Sequence, residues 1–71
     1  YIIVLDKRPT REAAIARANE LNNTIPAQAI TSEQGYFIIK KGQPTNRSNA
    51  LIEAVRIRND YRIQAEILEL Q

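Results

Sequence analysis

The chain has 71 residues, with ten Lys and Arg against eight Asp and Glu, a net charge of +2 and a charged fraction of 25%. It contains neither Cys nor His, which excludes disulfides, Cys/His zinc sites, a Cys–His nucleophile pair and a histidine general base. The length fits one small domain, and the weak positive charge permits an anionic partner without requiring one. No apolar run approaches the roughly 18 residues of a membrane span. The start at Tyr1 predicts a domain of a longer protein.

The first 32 residues predict a strand, a helix and a second strand. YIIVL is short and rich in β-branched residues, which favours a strand, and that strand must end before Pro9. Thr10 is the predicted N-cap of a helix from Arg11 to about Asn22. Pro26 blocks an extension of that helix, and a second strand is expected over about 27–32.

The rest of the chain predicts the same order again. After the turn-like stretch 32–35, YFIIKK at 36–41 favours a third strand. Thr45 or Asn46 is the expected N-cap of a second helix over 47–58, which Asn59 and Asp60 should end. The last predicted strand covers 61–70, where apolar and polar residues alternate.

This order reflects an internal repeat. YIIVLDKRPT at the start matches YFIIKKGQPT at 36–45, and further identities follow once one residue is inserted. Pseudo-repeats 1–34 and 35–71 therefore predict a single α+β domain with the order βαββαβ. This is the split-βαβ, ferredoxin-like sandwich, in which a four-stranded antiparallel sheet carries two helices on one face.

Strand alternation divides the strand residues between two faces of this sheet. The residues expected to form the core between sheet and helices are Ile3, Leu5, Ala14, Ala18, Leu21, Ile38, Ala50, Leu51 and Ala54, with Val55 on the same helix stripe. The residues expected at the centre of the other, free face are Ile2, Val4, Phe37 and Ile39, flanked by Gln28, Ile30, Gln64, Glu66 and Leu68. The predicted ligand-binding set on this face is Ile2, Val4, Gln28, Phe37, Ile39 and Gln64. An exposed apolar centre framed by amides is typical of an interaction surface. A terminal segment or a neighbouring domain covering this face is the alternative.

The segments YIIVLDKRPTREAA and YFIIKKGQPTNRSNALIEA, with the internal duplication, resemble the SPOR (sporulation-related repeat) domain over the whole chain. The resemblance implies a non-catalytic module without cofactor or metal that binds bacterial peptidoglycan at cell-division sites. Its location would be extracytoplasmic, in the periplasm or cell wall. The ligand would be a glycan strand without stem peptides, bound on the free sheet face. Phe37 would then lie against sugar rings, while Gln28 and Gln64 would bond to hydroxyl groups.

Three other functions remain open. The domain would serve assembly if its free face met a second copy, as a homodimer, or its host chain. An RNA-recognition module has the same element order and stacks bases on strand aromatics. Its electrostatic footprint would be the basic residues near the two Pro-Thr turns, which are Lys7, Arg8, Lys40, Lys41 and Arg47. Only Phe37 points outward there, which makes nucleic acid a less favoured partner. A regulatory domain of the ACT type shares the topology, but its ligand lies near a Gly-rich first loop.

The distribution of carboxylates disfavours an enzyme. The eight Asp and Glu residues are scattered over predicted helix surfaces and ends, and the fold brings no pair of them clearly to one pocket. Glu66 and Glu69 would lie on opposite faces of a strand. Each carboxylate is therefore interpreted as surface charge.

Overall fold

Four strands and two helices follow one another in the predicted order βαββαβ in the computed structural model, which describes residues 1–69. The elements are β1 (Ile2–Arg8), α1 (Arg11–Leu21), β2 (Ala27–Ser32), β3 (Gly35–Lys40), α2 (Arg47–Tyr61) and β4 (Glu66–Leu68). The strands form one sheet in the order β2-β3-β1-β4, and all neighbouring pairs are antiparallel. The α+β, ferredoxin-like arrangement predicted from the sequence is confirmed.

Both helices begin at the residues that local signals predict. Thr10 has an extended backbone, and its hydroxyl accepts a 3.2 Å hydrogen bond from the N–H of Ala13. Of the two candidates for the second cap, Asn46 takes the role, and its Oδ1 accepts a 2.9 Å bond from the N–H of Asn49. Each cap satisfies a donor that the first helical turn leaves free. The first helix ends at Leu21, close to the predicted boundary.

The core lies between the helices and one face of the sheet. The buried residues that pack together there are Ile3, Leu5, Ala14, Ala18, Leu21, Ile25, Ala27, Ile38, Ala54, Ile57 and Ala65. The prediction for α2 is partly wrong, because Leu51 is half-buried and Val55 is exposed. The buried stripe of this helix is instead Ala50, Ala54 and Ile57, at the spacing i, i+4, i+7 of one helical face.

The second helix is longer than predicted. It continues through Asn59 and Asp60 to Tyr61. Arg62 then adopts the left-handed conformation, with φ 56°, and its N–H bonds to the carbonyl of Arg58 at 3.1 Å. A left-handed residue closes a helix because it turns the backbone back onto the last free carbonyls. The Asn-Asp signal is thus overridden by a cap two residues further on.

The last strand is shorter than predicted. The Nε–H of Arg58 donates to the carbonyl of Ala65 at 2.7 Å, and the N–H of Ala65 bonds to the carbonyl of Ile63. These bonds turn the segment 62–65 away from pairing with β1. Pairing is confined to β4, Glu66–Leu68, rather than 61–70, and residue 70 lies outside the described residues.

A bulge in β1 changes the direction of its second half. Val4 pairs with Ile39, but the next pair joins Asp6 to Ile38, so Leu5 and Asp6 together oppose one residue. Leu5 is buried in the core, and Asp6 follows it onto the helix side of the sheet. The register beyond the bulge puts Lys7 on the free face. Simple alternation from Val4 would have placed Asp6 there instead.

Candidate functional site

The free face is the side of the sheet that faces away from both helices. The described strand residues that the register places on it are Ile2, Val4, Lys7, Gln28, Ile30, Ser32, Phe37, Ile39, Glu66 and Leu68. One row of cross-strand neighbours spans all four strands, from Gln28 through Ile39 and Val4 to Glu66. The predicted face is therefore correct for Ile2, Val4, Gln28, Phe37 and Ile39.

The expected exposure of this face is correct for only part of it. Ile2 and Phe37 are half-buried, but Val4 is only 4% exposed and Ile39 only 7%. Both belong to the two central strands, where neighbours on either side shield them from water. Val4 and Ile39 thus form a closed apolar floor. The side chains available to a ligand are those around this floor.

An apolar groove runs along the free face beside the turn between β2 and β3. Its volume is about 380 Å³, and it is lined by Ile30, Phe37 and Leu68 together with residues 31–34, which form the end of β2 and the turn. Ile30 and Phe37 lie directly opposite each other on adjacent strands. The hydroxyl of Ser32 is buried and has no hydrogen-bond partner among residues 1–69. A buried hydroxyl in that state is costly to leave unpaired, but because it is buried a ligand in the groove does not reach it. The exposed polar side chains in the lining of the groove include Glu33 and Gln34.

The charges that the described strands place on the free face compensate each other. Lys7 Nζ lies 3.4 Å from Glu66 Oε2, and each side chain is 60% exposed, so the pair contributes little to stability. The same Nζ lies 5.7 Å from the centroid of the Phe37 ring, within cation–π distance. The strand residues around the aromatic ring are therefore close to electrically neutral, while Glu33 of the turn adds a carboxylate to the lining of the groove. The Lys7 side chain therefore lies beside the surface that a ligand on Phe37 would contact.

The structure does not place Gln64 on this surface. The predicted strand over 61–70 would have presented it there, but Gln64 lies in the segment before β4 that does not pair with β1. It lines a separate cleft of about 440 Å³, at the open edge of β1, together with Asp6 and Arg17.

The polar groups of this second cleft are paired with one another. Asp6 accepts hydrogen bonds from the N–H of Lys7 at 2.7 Å, from Arg8 at 2.9 Å and from Arg17 Nε at 2.8 Å. Burial raises the pKa of Asp6, but these bonds and the two guanidinium charges outweigh it and hold the pKa below its ordinary value. Arg17 also bonds to Glu20 at 3.0 Å. The network ties β1 to α1 and is interpreted as structural.

Three of the five basic residues near the Pro-Thr turns are already engaged. Lys7 pairs with Glu66, Arg8 pairs with Asp6, and Lys40 pairs with Glu53 of α2. Lys40 also follows Ile38 by two positions, which places it on the helix side of the sheet. The basic residue that the structure brings beside Phe37 is Lys7, so no continuous basic strip follows the aromatic residue on the described part of the free face.

Sequence reasoning missed two members of this surface, Lys7 and the buried hydroxyl of Ser32. The bulge that brings Lys7 there has no local signal. Ser32 was predicted as the last residue of the second strand and the first of the turn, and its position two residues after Ile30 does indicate the same face.

Comparisons of the chain with protein-family models, with curated proteins and with solved structures find no match. Within residues 1–69, no cluster of three or more Asp or Glu side chains is arranged to hold a metal ion. None of the helices in that range is both long and apolar enough to cross a membrane. The surface geometry and the sequence resemblance to SPOR domains are the basis for inferring function.

Proposed function

We propose that this protein is a non-catalytic binding module that holds a peptide-free glycan strand of bacterial peptidoglycan on the free sheet face. The observation that carries the proposal is the groove formed by Ile30, Phe37 and Leu68, with the amide of Gln34 at its side. Sugar rings combine apolar C–H faces with hydroxyl groups. A site of apolar side chains and a few hydrogen-bonding groups suits both.

The charge of the free face supports a neutral ligand. Lys7 and Glu66 pair with each other, so they do not need a charged partner, and the carboxylate of Glu33 in the lining of the groove disfavours an anionic one. A glycan strand without stem peptides lacks the peptide carboxylates that would otherwise meet these side chains. Gln28, which is exposed beside Ile39, offers a further amide to sugar hydroxyls. Gln64, for which the sequence predicted bonds to sugar hydroxyls, does not lie on this surface and is not part of the proposed site.

The biological setting of the proposal rests on the SPOR resemblance. It places the domain outside the cytoplasm, in the periplasm or cell wall, with cell-wall glycan as its partner and no cofactor. The structure adds the groove on the free face to this proposal. Phe37 is the aromatic residue in its lining, so the loss of Phe37 should reduce glycan binding most. Aromatic side chains supply a large contact area in one rigid group.

Sedimentation with peptidoglycan sacculi tests this function. Sacculi treated with an amidase to remove stem peptides should pull down the wild-type protein. Phe37→Ala should reduce binding about tenfold or more, because it removes the aromatic contact in the groove. The matched control is Ile52→Ala, since Ile52 is a large apolar residue 60% exposed on α2, on the opposite side of the sheet. This control should sediment like the wild type.

Val4 is not a suitable target, because a carboxylate at a residue only 4% exposed would be buried without a partner. Circular dichroism must first show that Phe37→Ala is folded. A folded Phe37→Ala protein that sediments like the wild type would refute the groove as the glycan site. Absence of sedimentation by the wild type would refute glycan binding itself. If the wild type is instead a dimer that Phe37→Ala converts to a monomer, the free face serves assembly.

A further inference from the structure

The outer edge of β2 has backbone groups that the sheet leaves unpaired. β2 is an edge strand, with β3 on its inner side. At its start, the N–H and C=O of Ala27 both bond to the side chain of Asn22, at 2.9 and 2.7 Å, on the outer side. Backbone groups alternate between the two sides along a strand. The N–H and C=O of Ala29 and Thr31 therefore also point outward, where no strand of the sheet meets them.

A groove lies between this edge and α1. Its volume is about 470 Å³, and α1 contributes Arg11, Ile15 and Asn19 to its lining. Ile15 is 42% exposed, so the groove has an accessible apolar wall. Arg11 stands at the start of α1, and Lys41 follows the end of β3 at the opposite end of the groove, where its N–H bonds to the carbonyl of Pro26.

The edge lacks the features that usually prevent strand addition. Natural edge strands are protected by charged side chains, proline, bulges or very short length. β2 has the sequence AQAITS, with no charge and no proline, and it pairs with β3 in an unbroken register over six residues. The side chain of Asn22 covers only the end at Ala27. The stretch from Ala29 to Thr31 is open to a partner strand.

The charge of the groove favours an acidic partner over a second copy of the chain. No carboxylate lines it among the described residues, and neither Arg11 nor Lys41 forms an ion pair within residues 1–69. A second copy of the chain joined edge to edge would bring two further cations to the same groove, and like charges repel. An acidic strand meets no such repulsion.

We propose that the outer edge of β2 binds an acidic peptide in extended conformation, which adds a fifth strand to the sheet. Its backbone would bond to Ala29 and Thr31, its apolar side chains would contact Ile15, and its carboxylates would reach Arg11 and Lys41. Backbone bonds supply affinity in this mode of recognition, while alternate side chains supply specificity. The site is separate from the free face, so its test is independent of glycan binding.

The probe is a fluorescein-labelled heptapeptide with glutamate at positions 2 and 6, valine at position 4 and threonine elsewhere, because alternate residues of a strand share one face. Binding to the whole chain is measured by fluorescence anisotropy, and amide positions are followed by two-dimensional NMR. The amide signals of Ala29 and Thr31 should shift and become protected from hydrogen exchange. A matched peptide with lysine in place of glutamate should bind at least tenfold more weakly. Raised salt should weaken binding of the acidic peptide.

Two variants test the two parts of the site. Thr31→Pro removes an outward N–H while the bonds to β3 remain, a position that edge strands tolerate, and it should abolish binding. Thr31→Val retains that N–H and should bind normally. The double variant Arg11→Glu with Lys41→Glu should weaken binding at least tenfold. Its control is Arg47→Glu with Arg56→Glu, which makes the same change in net charge on α2.

Four results would overturn the proposal. These are unchanged signals of Ala29 and Thr31 at millimolar peptide, equal affinity for the acidic and basic peptides, and normal binding by a folded double charge variant. The fourth is a dimer of the free protein that Thr31→Pro dissociates, which would make the occupant a second copy of the chain.

Discussion

Replacement of Ala14 by Leu tests whether α1 packs against the sheet as closely as the structure shows. Ala14 is fully buried, with 0% exposure, so the larger side chain has no free volume to enter. Overpacking of this kind costs about 1 to 3 kcal/mol. A domain of 71 residues has a free energy of unfolding of about 4 to 10 kcal/mol. The expected fall in melting temperature is therefore about 4 to 24 °C.

The matched control is Ala16→Leu on the same helix, because Ala16 is exposed. That substitution should leave stability within about 0.5 kcal/mol of the wild type. Urea denaturation followed by circular dichroism gives both free energies of unfolding, and thermal melts give both midpoints. Equal stability of the two variants would show that Ala14 does not lie against the sheet and that the assignment of helix faces is wrong.

Two further predictions concern an ion pair and a turn. Asp6→Asn should reduce stability by about 1 to 2 kcal/mol near neutral pH, because the hydrogen bonds from Arg8 and Arg17 to a charged acceptor are weakened in a partly exposed site. The pKa of Asp6 is lower in the folded protein than in the unfolded chain. This stabilisation is therefore complete above about pH 4 and is lost as pH falls through the folded-state pKa. A difference in unfolding free energy between wild type and Asp6→Asn that does not shrink in acid would contradict the assignment. Gly35→Ala should cost more than Gly42→Ala, since both residues have positive φ but only at Gly35 would the new methyl group meet backbone, at 2.8 Å from the carbonyl oxygen of Arg8. Equal melting temperatures of the two glycine variants would show that this close approach does not exist.

The order of the elements was predictable because its signals act over a few residues. Pro9 stops β1, Thr10 and Asn46 cap the helices through their own side chains, and strand alternation separates Ile3 from Val4. The internal repeat presents the same strand and helix signals twice, so each half of the sequence supports the assignment of elements in the other half. Local chemistry of this kind is independent of what lies elsewhere in the fold.

The sequence predicts which residues share the free face of the sheet, but it does not predict which of them a ligand can reach. Alternation assigns Phe37 and Ile39 to the same side of the sheet, but it does not tell that Ile39 is covered by its neighbours while Phe37 borders a groove. That difference depends on the side chains of adjacent strands, which pairing brings together. Gln64 was assigned to the face for the same local reason, and it is absent from it because Arg58 bonds to the carbonyl of Ala65.

The sequence by itself determined the βαββαβ order, the two helix starts and the separation of an apolar core face from a second face of the sheet. Tertiary structure decided the bulge after Val4, the shortness of β4 and the groove between α1 and the edge of β2. The bulge and the groove depend on contacts between residues that are distant in the chain, such as Lys7 with Phe37, and the short β4 depends on a bond from a helix side chain to the segment before the strand. Strand register depends on which strands pair, and side-chain burial depends on which elements pack together. Neither is fixed until the elements contact one another.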